Sequence, residues 1–269
     1  TALYNNICDV MIVTDLIKAF NSKRSESRYN ALKLVADAVS QPKIPQKLIT
    51  FIEDKFLPQL TQLLKGDSMI ADLAFRIFSQ VSNADSQIIS RIAEKERLPL
   101  IFSRIADNAS ALLLAYNIVQ TGQIMINDLV QAGLIDGIIQ SMSKVGNEST
   151  VNLLYSILFP VAKLMSEIPD TPQLQEMIKK ISPLAQLATK LAELIISIPN
   201  AGYCLSLLFH IFTPDSSNPK DEVIYKDCFN ALGETINQIY QNNAPYPEKI
   251  ENVIKMAEWV VNKNAGART

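Results

Sequence analysis

The feature that most constrains this chain is a tandem repeat of helical patterns between Arg97 and Met165. Each copy contains a short apolar stretch, a polar break and a longer apolar stretch. The copies are Leu98–Ile105 followed by Asn108–Val119, and Leu134–Met142 followed by Glu148–Val161. Apolar residues recur at helical spacing in these stretches. One helical hairpin of this size cannot bury its apolar face alone, so the pattern predicts stacked units that share a core.

The same pattern extends over most of the chain. The long stretches align on a small or apolar residue, an apolar residue three positions later and a variable residue three positions after that. The first positions are Ala31, Ala74, Ala111, Leu154 and Cys204, and they lie 37 to 50 residues apart. The variable positions are Asp37, Gln80, Asn117, Pro160 and His210. This spacing is close to the roughly 40–47 residues of solenoids with two or three helices per repeat.

Local signals also favour helices throughout. The 269 residues include only eight glycines, and no segment alternates apolar and polar residues between hairpin turns, so we predict no strands. We predict helix caps at Asp67 or Ser68, at Thr171 before Pro172, and at Asn108 and Asn147, which also begin sequons. Predicted helices include 85–95, 182–196, 220–240 and 247–262, and Pro160 should bend the helix that contains it.

The recurring pattern resembles the armadillo repeat family. A short helix with Leu-Pro or Leu-Ile at its start, followed by a long helix that ends Ala-Tyr-Asn117-Ile-Val, looks like the second and third helices of an armadillo repeat. The match is best from Phe56 to Met165 and fails after Thr213. The resemblance implies an all-α fold: a right-handed α-solenoid of about five armadillo-like repeats with a capping helix pair at the C-terminus.

The repeat boundaries follow from this alignment within one predicted domain, residues 1–269. The repeats cover residues 1–40, 41–83, 84–120, 121–167 and 168–213, the cap covers 214–262 and a frayed tail covers 263–269. Because the sequence starts with Thr1 and not with Met, we expect a fragment of a longer protein.

The resemblance also places candidate binding residues. In armadillo proteins the third helices line the concave surface, and an Asn there often holds the backbone of an extended peptide. The matching positions imply partner contacts by Asp37, Gln80, Asn117 and His210, with Tyr116 beside Asn117; of these, only Asn117 keeps the family residue. The other interpretation, which we favour, is that these are solvated inner-face residues with no shared role.

Other classes of function find little support in the sequence. The net charge of −2 gives no attraction to nucleic acid, and no apolar run is long enough to span a membrane. No nucleophile, phosphate-loop or metal-ligand motif is present, and His210 is the only histidine, so we expect no enzyme, cofactor or metal site. The Leu60–Leu64 segment matches a short LxxLL docking pattern, but the repeat needs these leucines in its core.

Cysteine usage and architecture complete the sequence-based hypothesis. Cys8, Cys204 and Cys228 are odd in number and far apart, which indicates free thiols and a cytoplasmic location, with the nucleus, cytoskeleton or cilium as other compartments.

We predict a non-catalytic scaffold or adaptor that binds a partner protein or peptide along the concave surface. The alternative is a regulatory armadillo region of a larger protein, of the kinase-associated, chaperone-exchange or cilium and microtubule types.

Overall fold

The regular structure of the chain is helical. The computed structural model describes residues 10–22, 24–122, 124–144, 146–167, 171–212, 219–241 and 258, and none of these residues is in a strand. The chain forms two compact units, Thr1–Gly137 and Ile138–Thr269. The predicted extent of one repeat domain stays a prediction. Across the described ranges, no helix is both long and apolar enough to cross a bilayer.

The first unit is built from helices of alternating length. They are α1 (Val10–Phe20), α2 (Ser25–Val39), α3 (Gln46–Lys55), α4 (Leu60–Leu64), α5 (Ser68–Ala84), α6 (Ile89–Ile92), α7 (Leu98–Phe102), α8 (Ala109–Gln120) and α9 (Ile126–Gln131). Short 3-10 turns at Leu57–Gln59 and Ser86–Ile88 lead into α4 and α6. Helix α9 was not predicted from the sequence.

The second unit continues the same alternation. Its helices are α10 (Leu134–Lys144), which begins in the first unit, α11 (Glu148–Glu167), α12 (Pro172–Ile181), α13 (Ala188–Leu194), α14 (Ala201–Ile211) and α15 (Pro219–Gln241). A 3-10 segment, Ser182–Leu187, precedes α13 and replaces part of the predicted helix 182–196. Apart from Glu258, the predicted last helix 247–262 and its Trp259, the tail 263–269 and Cys8 lie outside the described residues.

Long helices pack on one another and on short ones in both units. In the first unit, α5 contacts α2 on one side and α8 on the other; in the second unit, α11 packs on α14. The short helices α4, α7 and α13 pack against α5, α8 and α14 respectively. We call α2, α5, α8, α11 and α14 the third helices, since each follows a shorter helix and carries one copy of the aligned long stretch.

The predicted caps explain where several helices begin. At each cap a side-chain oxygen accepts a hydrogen bond from the backbone N–H three residues later, which satisfies a donor that has no partner inside the helix. These bonds join Asp67 to Ile70 (2.9 Å), Asn108 to Ala111 (2.8 Å), Asn147 to Thr150 (2.9 Å) and Thr171 to Leu174 (3.3 Å). The capping interpretation of both sequons is therefore confirmed.

The prediction of one helix over 85–95 is wrong. Asp85 accepts from the backbone N–H of Gln87 at 3.0 Å and starts a 3-10 turn, and α6 ends at Ile92. The guanidinium of Arg97, which is only 7% exposed, donates to the Arg91 carbonyl at the end of that helix. A side chain thus satisfies a terminal carbonyl that a longer helix would have bonded with its own backbone.

The core residues match the repeat alignment. The five aligned first positions are all buried, from Ala31 to Cys204. In the first unit, Phe75, Phe78 and Phe102 are fully buried. The leucines of the LxxLL segment, Leu60, Leu63 and Leu64, are buried as well, which confirms their role in the core.

Pro160 lies inside a continuous helix. The long helix α11 extends through Pro160 to Glu167, and the proline itself is exposed. A proline on the solvent side removes one backbone hydrogen bond without ending the helix here. The bend that Pro160 predicts stays a prediction.

Candidate functional site

The first predicted site residue, Asp37, lies in an ion pair between two third helices. Its Oδ1 is 3.4 Å from Nη2 of Arg76, and Nε of Arg76 donates to the Ser40 hydroxyl at 3.1 Å. Both charged side chains are nearly half exposed, so the pair contributes little to stability, about 0–1 kcal/mol. The ion pair does, however, balance the negative charge of Asp37 with the positive charge of Arg76.

Asn117 and Gln80 differ in burial although the alignment makes them equivalent. Asn117 is 8% exposed, and its Nδ2 donates to the Ser79 carbonyl at 3.2 Å and to the Ser82 hydroxyl at 2.9 Å. These bonds tie α8 to α5 and use both amide hydrogens of Asn117. Gln80 is half-buried. A peptide contact by Asn117 stays a prediction, and it would have to use Oδ1 or displace one of these bonds.

Tyr116 and His210 lie on the third helices of different units. Tyr116 is half-buried on α8, whereas His210 is exposed in the last turn of α14. The structure therefore places Asp37, Gln80, Tyr116 and Asn117 in the first unit and His210 in the second. The partner-binding role of all five residues stays a prediction.

A groove of about 440 Å³ lies on the first unit, near the start of α5 and α8. It is lined by Tyr29, Met69, Asp72, Leu73, Arg76 and residues 107–110, and we call it the Met69 groove. Oδ1 of Asp72 accepts from Nδ2 of Asn108 at 2.7 Å and pairs with Nη2 of Arg104 at 3.2 Å. Sequence reasoning missed this groove. The sequence did contain one signal for it, since Met69 and Leu73 lie one helical turn apart and Asp72 and Arg76 lie beside them.

Two stacked aromatic side chains form a second surface feature, on the second unit. Tyr155 and Phe159 of α11 stack with ring centroids 5.5 Å apart. Phe159 is 47% exposed and Tyr203 of α14 is 66% exposed. We call Tyr155 and Phe159 the aromatic face. Tyr203 is a separate exposed aromatic residue of the same unit.

A side-chain hydrogen bond links the two third helices of the second unit. Nδ2 of Asn200 donates to Oδ1 of Asn152 at 2.7 Å, linking the start of α14 to α11. Tyr155 and Tyr203 each follow one of these residues by three positions, so they lie at a similar height on adjacent helices. This bond sets the height of each tyrosine along its helix and not the side of the helix pair on which it lies.

The described residues offer little for covalent or metal chemistry. Cys204 and Cys228 are free and buried, and burial raises the pKa of each thiol to about 12. Thiols with so high a pKa are poor nucleophiles at neutral pH. In the part of the chain that the structure describes, no three His, Cys, Asp or Glu side chains form a group that could hold a metal ion.

Comparison with known proteins identifies the fold. No protein-family model and no curated protein matches the sequence. A designed armadillo repeat protein superposes with a TM-score of 0.52 at 15% identity, covering 91% of this chain and 98% of that one. The fold is armadillo-like. The predicted armadillo-like, all-α solenoid is thereby confirmed.

Other solved structures agree with this fold. An engineered protein gives a TM-score of 0.55 at 18% identity and covers 95% of this chain and 97% of its own. A further designed armadillo repeat protein, in complex with the peptide (KR)4, gives a TM-score of 0.51 at 14% identity, with coverage of 93% and 98%. At these identities the likeness concerns the fold alone.

Proposed function

We propose that this armadillo-like chain is a non-catalytic interaction module that binds an extended segment of a partner protein along its third helices. The observation that carries the proposal is that large apolar side chains remain exposed on third helices of both units. Met69 is 58% exposed, Phe159 47% and Tyr203 66%. Met69 lies beside Leu73 and Tyr29, and Phe159 stacks on Tyr155, so each belongs to a local group of apolar side chains. Such groups on a protein surface mark interaction sites more often than single exposed residues do.

The composition of two of the third helices, α8 and α14, supports a peptide as the ligand. Neither α8 nor α14 contains a charged residue, so their exposed positions offer apolar, hydroxyl, amide and imidazole groups. Solenoids present such repeated helix faces as extended binding surfaces. The neighbour in complex with (KR)4 shows that one protein of this fold holds a linear peptide, which supports the same use here.

The chemistry of the chain also guides the choice of partner and compartment. A net charge of −2 gives no long-range attraction to a polyanion, so we propose a protein partner and not nucleic acid. We propose a cytoplasmic location because the free, buried thiols of Cys204 and Cys228 suit a reducing compartment.

Selection from a display library of random linear peptides tests the proposed function. The immobilised chain should enrich a recurring family of peptides, and a Tyr203→Asp variant should bind them more weakly. The matched control is Phe229→Asp, which changes an exposed aromatic residue of α15, outside the third helices; Phe229 is 43% exposed. Failure to enrich any linear peptide, or equal loss in both variants, would refute the proposal.

A further inference from the structure

We propose that the Met69 groove is a specificity pocket for one large, uncharged apolar side chain of the bound peptide, such as Leu, Met or Phe. This inference rests on the proposed function and adds to it the class of residue that the ligand must carry. The groove volume of about 440 Å³ is within the range of small-ligand sites and ample for one side chain.

The apolar part of the groove provides the contact surface. Met69 is 58% exposed, and Leu73 and Tyr29 are each partly exposed beside it. Met69 and Leu73 lie one turn apart on α5, while Tyr29 belongs to the neighbouring third helix α2. A flexible thioether next to an aliphatic and an aromatic side chain can adapt to apolar groups of several shapes.

The charges of the groove favour a neutral occupant. Arg76 is paired with Asp37, Asp72 is held by Arg104 and Asn108, and Asp107 also has an interaction partner within the chain. Because the charges of Arg76 and Asp72 are already paired, a Lys or Glu side chain entering between them would lose hydration without gaining an unpaired counter-charge from either residue. The lining therefore favours a side chain that is apolar and carries no charge.

Polar groups beside the apolar part suit the peptide backbone. Both contacts of Asp72 involve its Oδ1, and the side chain is 51% exposed. Its Oδ2 can accept a main-chain N–H of an extended ligand that places its apolar side chain on Met69 and Leu73. The groove thus offers an anchor for one side chain and a hydrogen-bond acceptor for the adjoining backbone.

Comparing peptide preferences of two methionine variants tests the inference. Peptides selected on the wild-type chain should share one position occupied by Leu, Met or Phe, and replacing that residue by Lys or Glu should weaken binding about tenfold or more. Met69→Glu should abolish this preference. Met125→Glu is the matched control, because Met125 is 71% exposed and does not line the groove, and it should leave the preference unchanged.

The outcomes separate the inference from the proposed function. Enriched peptides without an apolar position, or with a preference that Met69→Glu does not alter, would overturn the specificity pocket while leaving peptide binding intact. Absence of any enriched peptide would overturn both. Circular dichroism spectra that match the wild type in both variants will show that the substitutions act at the surface and not through folding.

Discussion

Asn117 provides the sharpest test of how consecutive third helices are held together. Replacing Asn117 by Ala removes its two hydrogen bonds to α5, at 2.9 and 3.2 Å, from a site that is 8% exposed. Each bond of this kind contributes about 0.5–1.5 kcal/mol. The Ser79 carbonyl keeps a bond from the Ser82 hydroxyl at 3.0 Å, so it is not left without a partner. We therefore expect a loss of about 1–3 kcal/mol in the free energy of unfolding.

Urea unfolding followed by circular dichroism measures this loss, and hydrogen exchange locates it. Amides of α5 and α8 should exchange faster in Asn117→Ala, while those of α11 and α14 should not. The matched control is Gln80→Ala, which removes a half-buried amide at the aligned position and should cost under about 0.5 kcal/mol. A double-mutant cycle with Ser82→Ala should give a coupling of about 0.5–1.5 kcal/mol. Equal stability of the Asn117→Ala and Gln80→Ala variants would refute this account.

Two further predictions concern packing and pH. Gly137→Ala should lower the free energy of unfolding in urea by about 1–3 kcal/mol, because the added Cβ would lie 2.6 Å from the Phe102 carbonyl oxygen. The control is Gly233→Ala, whose added Cβ has no atom within 4 Å, and this variant should be as stable as the wild type or more stable. Between pH 9 and about 12 the unfolded chain releases the protons of Cys204 and Cys228 while the native chain retains them, so stability should fall as pH rises. Substituting both cysteines by Ala should flatten that slope, and an unchanged slope would contradict the assigned pKa.

The sequence predicted those features that local chemistry and periodicity determine. Caps at Asp67, Asn108 and Thr171 were predictable because a short polar side chain before an apolar helix has one favourable arrangement. Burial of the aligned first position was predictable because an apolar or small residue recurs there at helical spacing in each repeat. The fold class followed from these signals together.

Side-chain detail was not predictable in the same way. The variable position is half-buried at Gln80, buried at Asn117 and exposed at His210, because small shifts in helix register rotate a residue toward or away from the next helix. The end of α6 depends on Arg97, a residue five positions beyond that helix. The Met69 groove depends on residues of successive third helices, a proximity that only tertiary packing creates.

The central claim is that the third helices bind an extended peptide, and the affinity of one selected peptide tests it most directly. Fluorescence anisotropy should show that Phe159→Asp, on the aromatic face, raises the Kd of a fluorescein-labelled selected peptide by about tenfold or more. Val223→Asp is the control and should leave the Kd unchanged, because Val223 lies on α15 and is similarly exposed, at 54% against 47% for Phe159. An unchanged Kd in both Phe159→Asp and Tyr203→Asp would contradict the claim.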